Sequence, residues 1–225
     1  CAEAKQRVPD EFVPRLLGLG KNLSDLHPLI EQCCGEHFAW LISLNQEWST
    51  AYKKSNQKQS AEADRRQALV NIFETALQKE RYSALCQLRT IAPQEALAAL
   101  SSAFEKESFD SKILFLKALN TALSLSDEPF LEEVALADRR KEVRSQAAAL
   151  LCLIADSRYQ QRMISRAEQY LSYNSSNKQF VVSLPDRLDD SMSRDGIIEN
   201  LSLDSRLGQK ATWLCQILSL VPTSH

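Results

Sequence analysis

From Arg65 onward, apolar residues recur at spacings of three and four through RRQALVNIFETAL, RYSALCQLRTIA, PQEALAALSSAFEKE, SKILFLKALNTAL, EPFLEEVALA and KEVRSQAAALLCLIA. That period gathers each segment's apolar side chains into one stripe of an amphipathic helix. The links are short, marked by Pro93, by Asp110 and Ser111, and by Asp127 with Pro129. Five glycines and seven prolines are all that interrupt 225 residues rich in Ala, Leu, Gln, Glu, Lys and Arg, so helix is favoured nearly throughout. The expected fold class is all-α.

A shift of 30 residues superposes Leu85 on Phe115, Leu88 on Ala118 and Ala118 on Ala148. This self-similarity has the scale of a helical hairpin and points to an α-solenoid, although HEAT and armadillo units usually run to about 40–47 residues. Three regions are expected: helical residues 1–52, HEAT-like repeats over 65–170, and 171–225 packed back on the same solenoid. In the first, Pro14 kinks or restarts a helix over DEFVPRLLGL. Residues 53–64, KKSNQKQSAEAD, carry no large apolar side chain and read as a solvated connection or frayed helix start. In the last region SYNSSNK reads as a polar loop, QFVVSLP as a short extended segment, DRLDDSMSRDGI as an acidic turn, and LGQKATWLCQILSLV as a closing helix.

With 44% hydrophobic and 25% charged residues the chain has material for a sizeable core. A net charge of −2 provides no global field for a polyanion, so any nucleic-acid role needs a local patch. Six cysteines in a chain this long do not form a disulfide-dense scaffold, and no apolar run reaches the ~20 residues of a membrane span. A reducing cytoplasm is the expected setting. The chain opens on Cys1 without a signal segment, so it reads as part of a longer protein.

The stretch DRRKEVRSQAAALLCLIADS starts a helix with cations, although the helix dipole favours carboxylates there. Asp138, Val143, Arg144, Ala147, Ala148 and Leu151 fit the pattern of a HEAT-type second helix, with small residues where neighbouring helices approach closely. WLISLNQEW, LRTIAPQEA, SDEPFLEEVALADRRKEVRSQAAALL, QRMISRAE, LPDRLDDSMSRDGI and LGQKATWLCQILSLVP extend the likeness across most of the chain. Together they resemble an uncharacterised bacterial HEAT-like family, a numbered domain of unknown function. The resemblance implies gene neighbours encoding MoxR-type AAA ATPases, von Willebrand factor A proteins and SWIM zinc-finger proteins. It implies no catalytic residue.

No phosphate-binding glycine loop, G-x-S-x-G or H-E-x-x-H motif is present, and the histidines are His27, His37 and His225. No cofactor and no metal is expected. His27, Cys33, Cys34 and His37 have the atoms for zinc, but adjacent cysteines are poor spacing, and buried thiols beside surface histidines are the plainer reading. Arg158, Arg162 and Arg166 share a helix face, and Arg139, Arg140, Lys141 and Arg144 open the preceding helix. These cations either face an acidic partner or phosphate, or form solvated faces balanced by Glu132, Glu133, Glu142 and Asp156. On the first reading, reversing Arg158, Arg162 and Arg166 removes binding and leaves stability intact. Asp186, Asp189, Asp190 and Asp195, with Arg187 and Arg194, lack calcium-loop spacing and serve either partner contact or loop bracing. Trp40, Trp48 and Trp213 are expected in the core.

These features favour a non-enzymatic scaffold or adaptor that binds a protein, such as an AAA ATPase with its von Willebrand A partner. The alternative is DNA binding or processing by a basic concave face, as in HEAT-like alkylpurine DNA glycosylases.

Overall fold

The computed structural model describes residues 7–35, 37–202 and 206–222, and the chain divides into two compact units, residues 1–67 and 68–225. Among the described residues the fold is all-α apart from one small hairpin. No described helix is long and apolar enough to cross a membrane.

The first unit contains α1 (Val13–Gly20), α2 (His27–Cys34), α3 (His37–Leu44) and part of α4 (Gln46–Thr75). Pro14 sits in the first turn of α1, where its missing N–H costs nothing, so the helix restarts there. Val13, Leu17, Ile30, Phe38, Ile42 and Tyr52 form the core. His27 is buried, stacks on Tyr52 with ring centroids 3.9 Å apart, and shares a 2.8 Å hydrogen bond with the Gly20 carbonyl through Nε2. Residues 53–64 are not a connection but lie inside α4. Their Ala, Gln, Lys and Glu content sustains helix where the apolar stripe lapses.

The second unit begins with the end of α4 and continues through α5 (Gln78–Ile91), α6 (Pro93–Phe104) and α7 (Phe109–Ala118). A short α8 (Glu128–Phe130) runs into a π-helical turn over Leu131–Ala135, closed by the Leu136 N–H donating to the Leu131 carbonyl at 2.9 Å. Then come α9 (Lys141–Leu151) and α10 (Arg158–Tyr170). Phe73 meets Phe115 and Phe104 meets Phe130 edge-on at 5.2 and 5.1 Å, with Leu85, Leu88, Leu100, Leu116 and Leu131 filling the space between helices. Ala147 and Ala148 of α9 are buried, as their small size requires at a close helix contact.

β1 (Leu171–Asn174) pairs antiparallel with β2 (Gln179–Val182), Tyr173 opposite Phe180. The extended reading of QFVV holds, whereas SYN, read as loop, forms β1. Leu171, Tyr173, Phe180 and Val182 fall on one face by strand alternation, while Ser172, Asn174, Gln179 and Val181 fall on the other. The chain closes with α11 (Asp190–Arg194) and α12 (Gln209–Ser219). Trp213 and Ile217 of α12 join Ala167, Met192 and Ile197 in a second core.

Candidate functional site

Six charged residues of the second unit, Glu128, Glu132, Arg158, Arg162, Arg166 and Asp195, come together where α8, its π-helical turn, α10 and the 189–197 segment meet. Glu128 and Glu132 lie one turn apart, and each faces an arginine thirty residues later in the chain. The Glu128 carboxylate accepts the Arg158 backbone N–H at 2.6 Å and the Arg158 Nε–H at 3.4 Å. It thereby caps the N-terminus of α10, where the helix dipole favours an anion. Glu132 accepts from Arg162 Nη2 at 2.9 and 3.2 Å. Glu132 lies within the π-helical turn, a form often found at functional sites.

Asp195 lies on the other side of Arg162. Its carboxylate accepts from Arg162 Nε and Nη2 at 2.8–3.2 Å and from Arg166 Nη1 at 2.8 Å, and it is almost wholly buried. Burial opposes the charge on Arg162, but the hydrogen bonds and charges of Asp195 and Glu132 outweigh it and hold the guanidinium protonated. Tyr159 donates its phenol to the Asp195 carbonyl at 2.6 Å. Burial, reinforced by the Asp195 charge, raises the pKa of that phenol and keeps it neutral.

Gly196 turns the loop at φ +89°. A Cβ there would stand 2.9 Å from the Ala148 Cβ and 3.2 Å from the Arg144 carbonyl, so the loop rests directly on α9. Arg144 holds it from the other direction, donating to the carbonyls of Ser193 at 3.1 Å and Asp138 at 2.9 Å.

The sequence-marked cations therefore separate into two groups. Arg144, Arg162 and Arg166 are internal struts. The expectation that reversing Arg158, Arg162 and Arg166 leaves stability intact is corrected, because each pairs with a buried carboxylate: Arg158 with Glu128, Arg162 with Glu132 and Asp195, and Arg166 with Asp195. Arg158 and Arg194 remain 63% and 60% exposed by side chain. Arg139 and Lys141 are exposed, and Arg140 lies over the Phe109 ring at 5.4 Å. The charge at the start of α9 is offset locally, since Asp138 accepts the Arg140 backbone N–H at 2.8 Å and Lys112 Nζ at 2.6 Å.

The acidic loop does not gather. Asp189 caps α11, its Oδ1 accepting the Met192 N–H and the Ser191 hydroxyl at 2.7 Å each. Asp190 and Arg187 are exposed, and Asp186 is fully exposed, 3.3 Å from Lys210. Among the described residues no three His, Cys, Asp or Glu side chains are grouped to hold a metal ion. His27 is buried rather than on the surface, while His37 is exposed, Cys34 buried and Cys33 half-buried. His225 lies outside the described residues. Trp213 is buried as expected and donates Nε1–H to the Glu199 carbonyl at 3.0 Å. Trp48 is half-buried, but Trp40 is 60% exposed and not in the core.

Sequence reasoning passed over Arg89 and Glu128, took Asp127 only as the marker of a link, and treated Glu132 only as a surface counter-charge. Two signals for them exist: Arg89 falls on the apolar stripe four residues after Leu85, and the Glu128/Glu132 spacing repeats in Arg158/Arg162.

A groove of about 510 Å³ runs along α10, lined by Gln161, Arg162, Ser165, Arg166, Gln169, Asp189 and Ser191. No curated protein and no solved structure matches the chain. Over its whole length, residues 1–225, it matches the model of a protein family, and it belongs to that family, DUF5691, a family of unknown function.

Proposed function

We propose that this chain is a non-enzymatic scaffold or adaptor that recognises another protein through a rigid, mixed-charge surface of its second unit. One observation carries the reading: Arg158 and Arg194 are exposed on segments whose buried neighbours, Glu128, Glu132 and Asp195, are locked by ion pairs. Cations on such a frame are already positioned, so a partner's carboxylates meet them with little further loss of freedom. Arg139, Arg140 and Lys141 extend the recognition surface, and Asp186, Asp189 and Asp190 favour a partner of mixed charge over a polyanion.

The packing of α5 with α6, α5 with α7 and α7 with α9 supports a HEAT-like solenoid frame. The implied gene neighbourhood makes a MoxR-type AAA ATPase and a von Willebrand factor A protein in the cytoplasm the first partners to test. The test mixes the purified chain with each protein and follows complex formation by sedimentation. The expected result is a complex that survives physiological salt and weakens in Arg158→Glu/Arg194→Glu. Binding of duplex DNA with a steep salt dependence, and of neither protein, overturns the reading in favour of nucleic acid.

A further inference from the structure

Gln161, Ser165 and Gln169 occupy successive turns of α10 and line the same groove. All three are exposed, and their side chains donate no hydrogen bond among the described residues. Arg162 lies between them on the groove wall, fixed through Nε and Nη2, while its Nη1 makes no hydrogen bond among the described residues. The groove therefore presents a ladder of amide and hydroxyl groups beside two immobilised cations, Arg162 and the mostly buried Arg166, with the Asp189 carboxylate also on its wall.

The spacing of the ladder suits one kind of ligand. Four helical residues rise about 6 Å, and two residues of an extended strand advance about 6.6 Å. A chain lying along α10 in extended form thus brings a peptide unit of the same orientation past each of Gln161, Ser165 and Gln169. A glutamine amide both donates and accepts, so it satisfies a backbone carbonyl and N–H together. At the far end, the Ser183 N–H donates to the Tyr170 carbonyl at 2.8 Å, which places the exposed Leu184 segment beside the end of α10.

We infer that the α10 groove binds an extended peptide segment whose backbone is held by Gln161 and Gln169 and whose aspartate or glutamate pairs with Arg162. This deepens the scaffold reading and rests on it, naming an extended acidic segment as what the partner offers. Arg162 is already paired with Asp195 and Glu132, and Asp189 also lines the groove, so there is too little net positive charge for a dense polyanion and room for a single carboxylate only at the Arg162 Nη1.

The test uses the whole chain and a displayed library of random twelve-residue peptides. Enriched sequences are made with a fluorescent label and titrated by anisotropy against wild type, Gln161→Ala/Gln169→Ala and Ser165→Trp. All three positions are exposed, so unchanged circular dichroism and thermal midpoint verify the fold. The expected result is enrichment of peptides containing Asp or Glu, about tenfold weaker binding to the double alanine variant, and loss of binding to Ser165→Trp. Three results overturn the inference: no enrichment beyond a Ser165→Trp column, peptides that bind the variants as well as wild type, or equal binding after Asp or Glu is changed to amide. If the partner complex forms and is indifferent to Ser165→Trp, the groove is wrong and the scaffold reading stands. If neither partner nor peptide binds, both fall.

Discussion

Arg89 of α5 and Asp127, just before α8, form a bidentate ion pair at 2.8 and 2.9 Å, with both side chains 1% exposed. Arg89 also donates to the carbonyls of Pro93, Thr121 and Ala122 at 2.8–3.2 Å. Asp127 accepts the Ser124 backbone N–H at 2.9 Å. One guanidinium thereby satisfies the turn that follows α7, in which Ala122 takes a positive φ of 53°.

Removing either partner leaves a buried charge without its counter-ion, at a cost of about 3–5 kcal/mol. Arg89→Met and Asp127→Ala are each expected to lose that much in urea unfolding. Arg89→Met/Asp127→Leu is expected to remain less stable than wild type, because the turn carbonyls still lack a donor. A double variant as stable as wild type contradicts this account.

Asp195→Asn removes the charge that balances Arg162 and Arg166, and a loss of about 3 kcal/mol or more is expected. Arg158→Ala, at a mostly exposed position, is expected to change stability by less than about 1 kcal/mol. Denaturant midpoints measured side by side decide the matter. Equal effects at the two positions refute the division into internal struts and surface cations.

Gly196→Ala forces a side chain into positive φ and against Ala148, and a loss of about 1–3 kcal/mol is expected. Adding Ala148→Gly relieves the contact but not the backbone strain, so recovery is partial. Gly18 is helical and a methyl group there would meet open space, so Gly18→Ala is expected to gain about 0.5–1 kcal/mol. Thermal unfolding of the three variants tests the contrast.

Asp138 titrates below the ordinary value of 3.8. Burial alone pushes its pKa up, but the Lys112 hydrogen bond, the Arg140 N–H and the charges of Lys112 and Arg139 together prevail. A carboxyl whose pKa falls on folding contributes stability above its unfolded pKa and loses it as pH drops through the folded one. Wild type is therefore expected to exceed Asp138→Asn in stability above about pH 4, with the difference closing as pH falls further. A difference independent of pH from 2 to 6 contradicts the assignment.

The helices from α5 to α9 were legible because apolar periodicity is a local property, written every three or four residues and read without knowledge of neighbours. The alanines of α9, the strand in QFVV and the closing helix followed from side-chain size, β-propensity and the same period. Of the two readings of residues 53–64 the connection failed, since helix propensity carried α4 across a polar stretch, and Trp40 was misplaced because an apolar segment left its tryptophan outside. The cations were visible as a stripe, but their roles were not. Whether an arginine meets solvent or a buried carboxylate depends on which segments fold onto it, and Glu128, Glu132 and Asp195 are roughly thirty residues from Arg158, Arg162 and Arg166. By itself the sequence determined helix, apolar faces and the place of each charge along the chain. The tertiary structure alone decided which charges compensate one another in the interior, because burial and ion pairing depend on distances between segments that no local pattern contains.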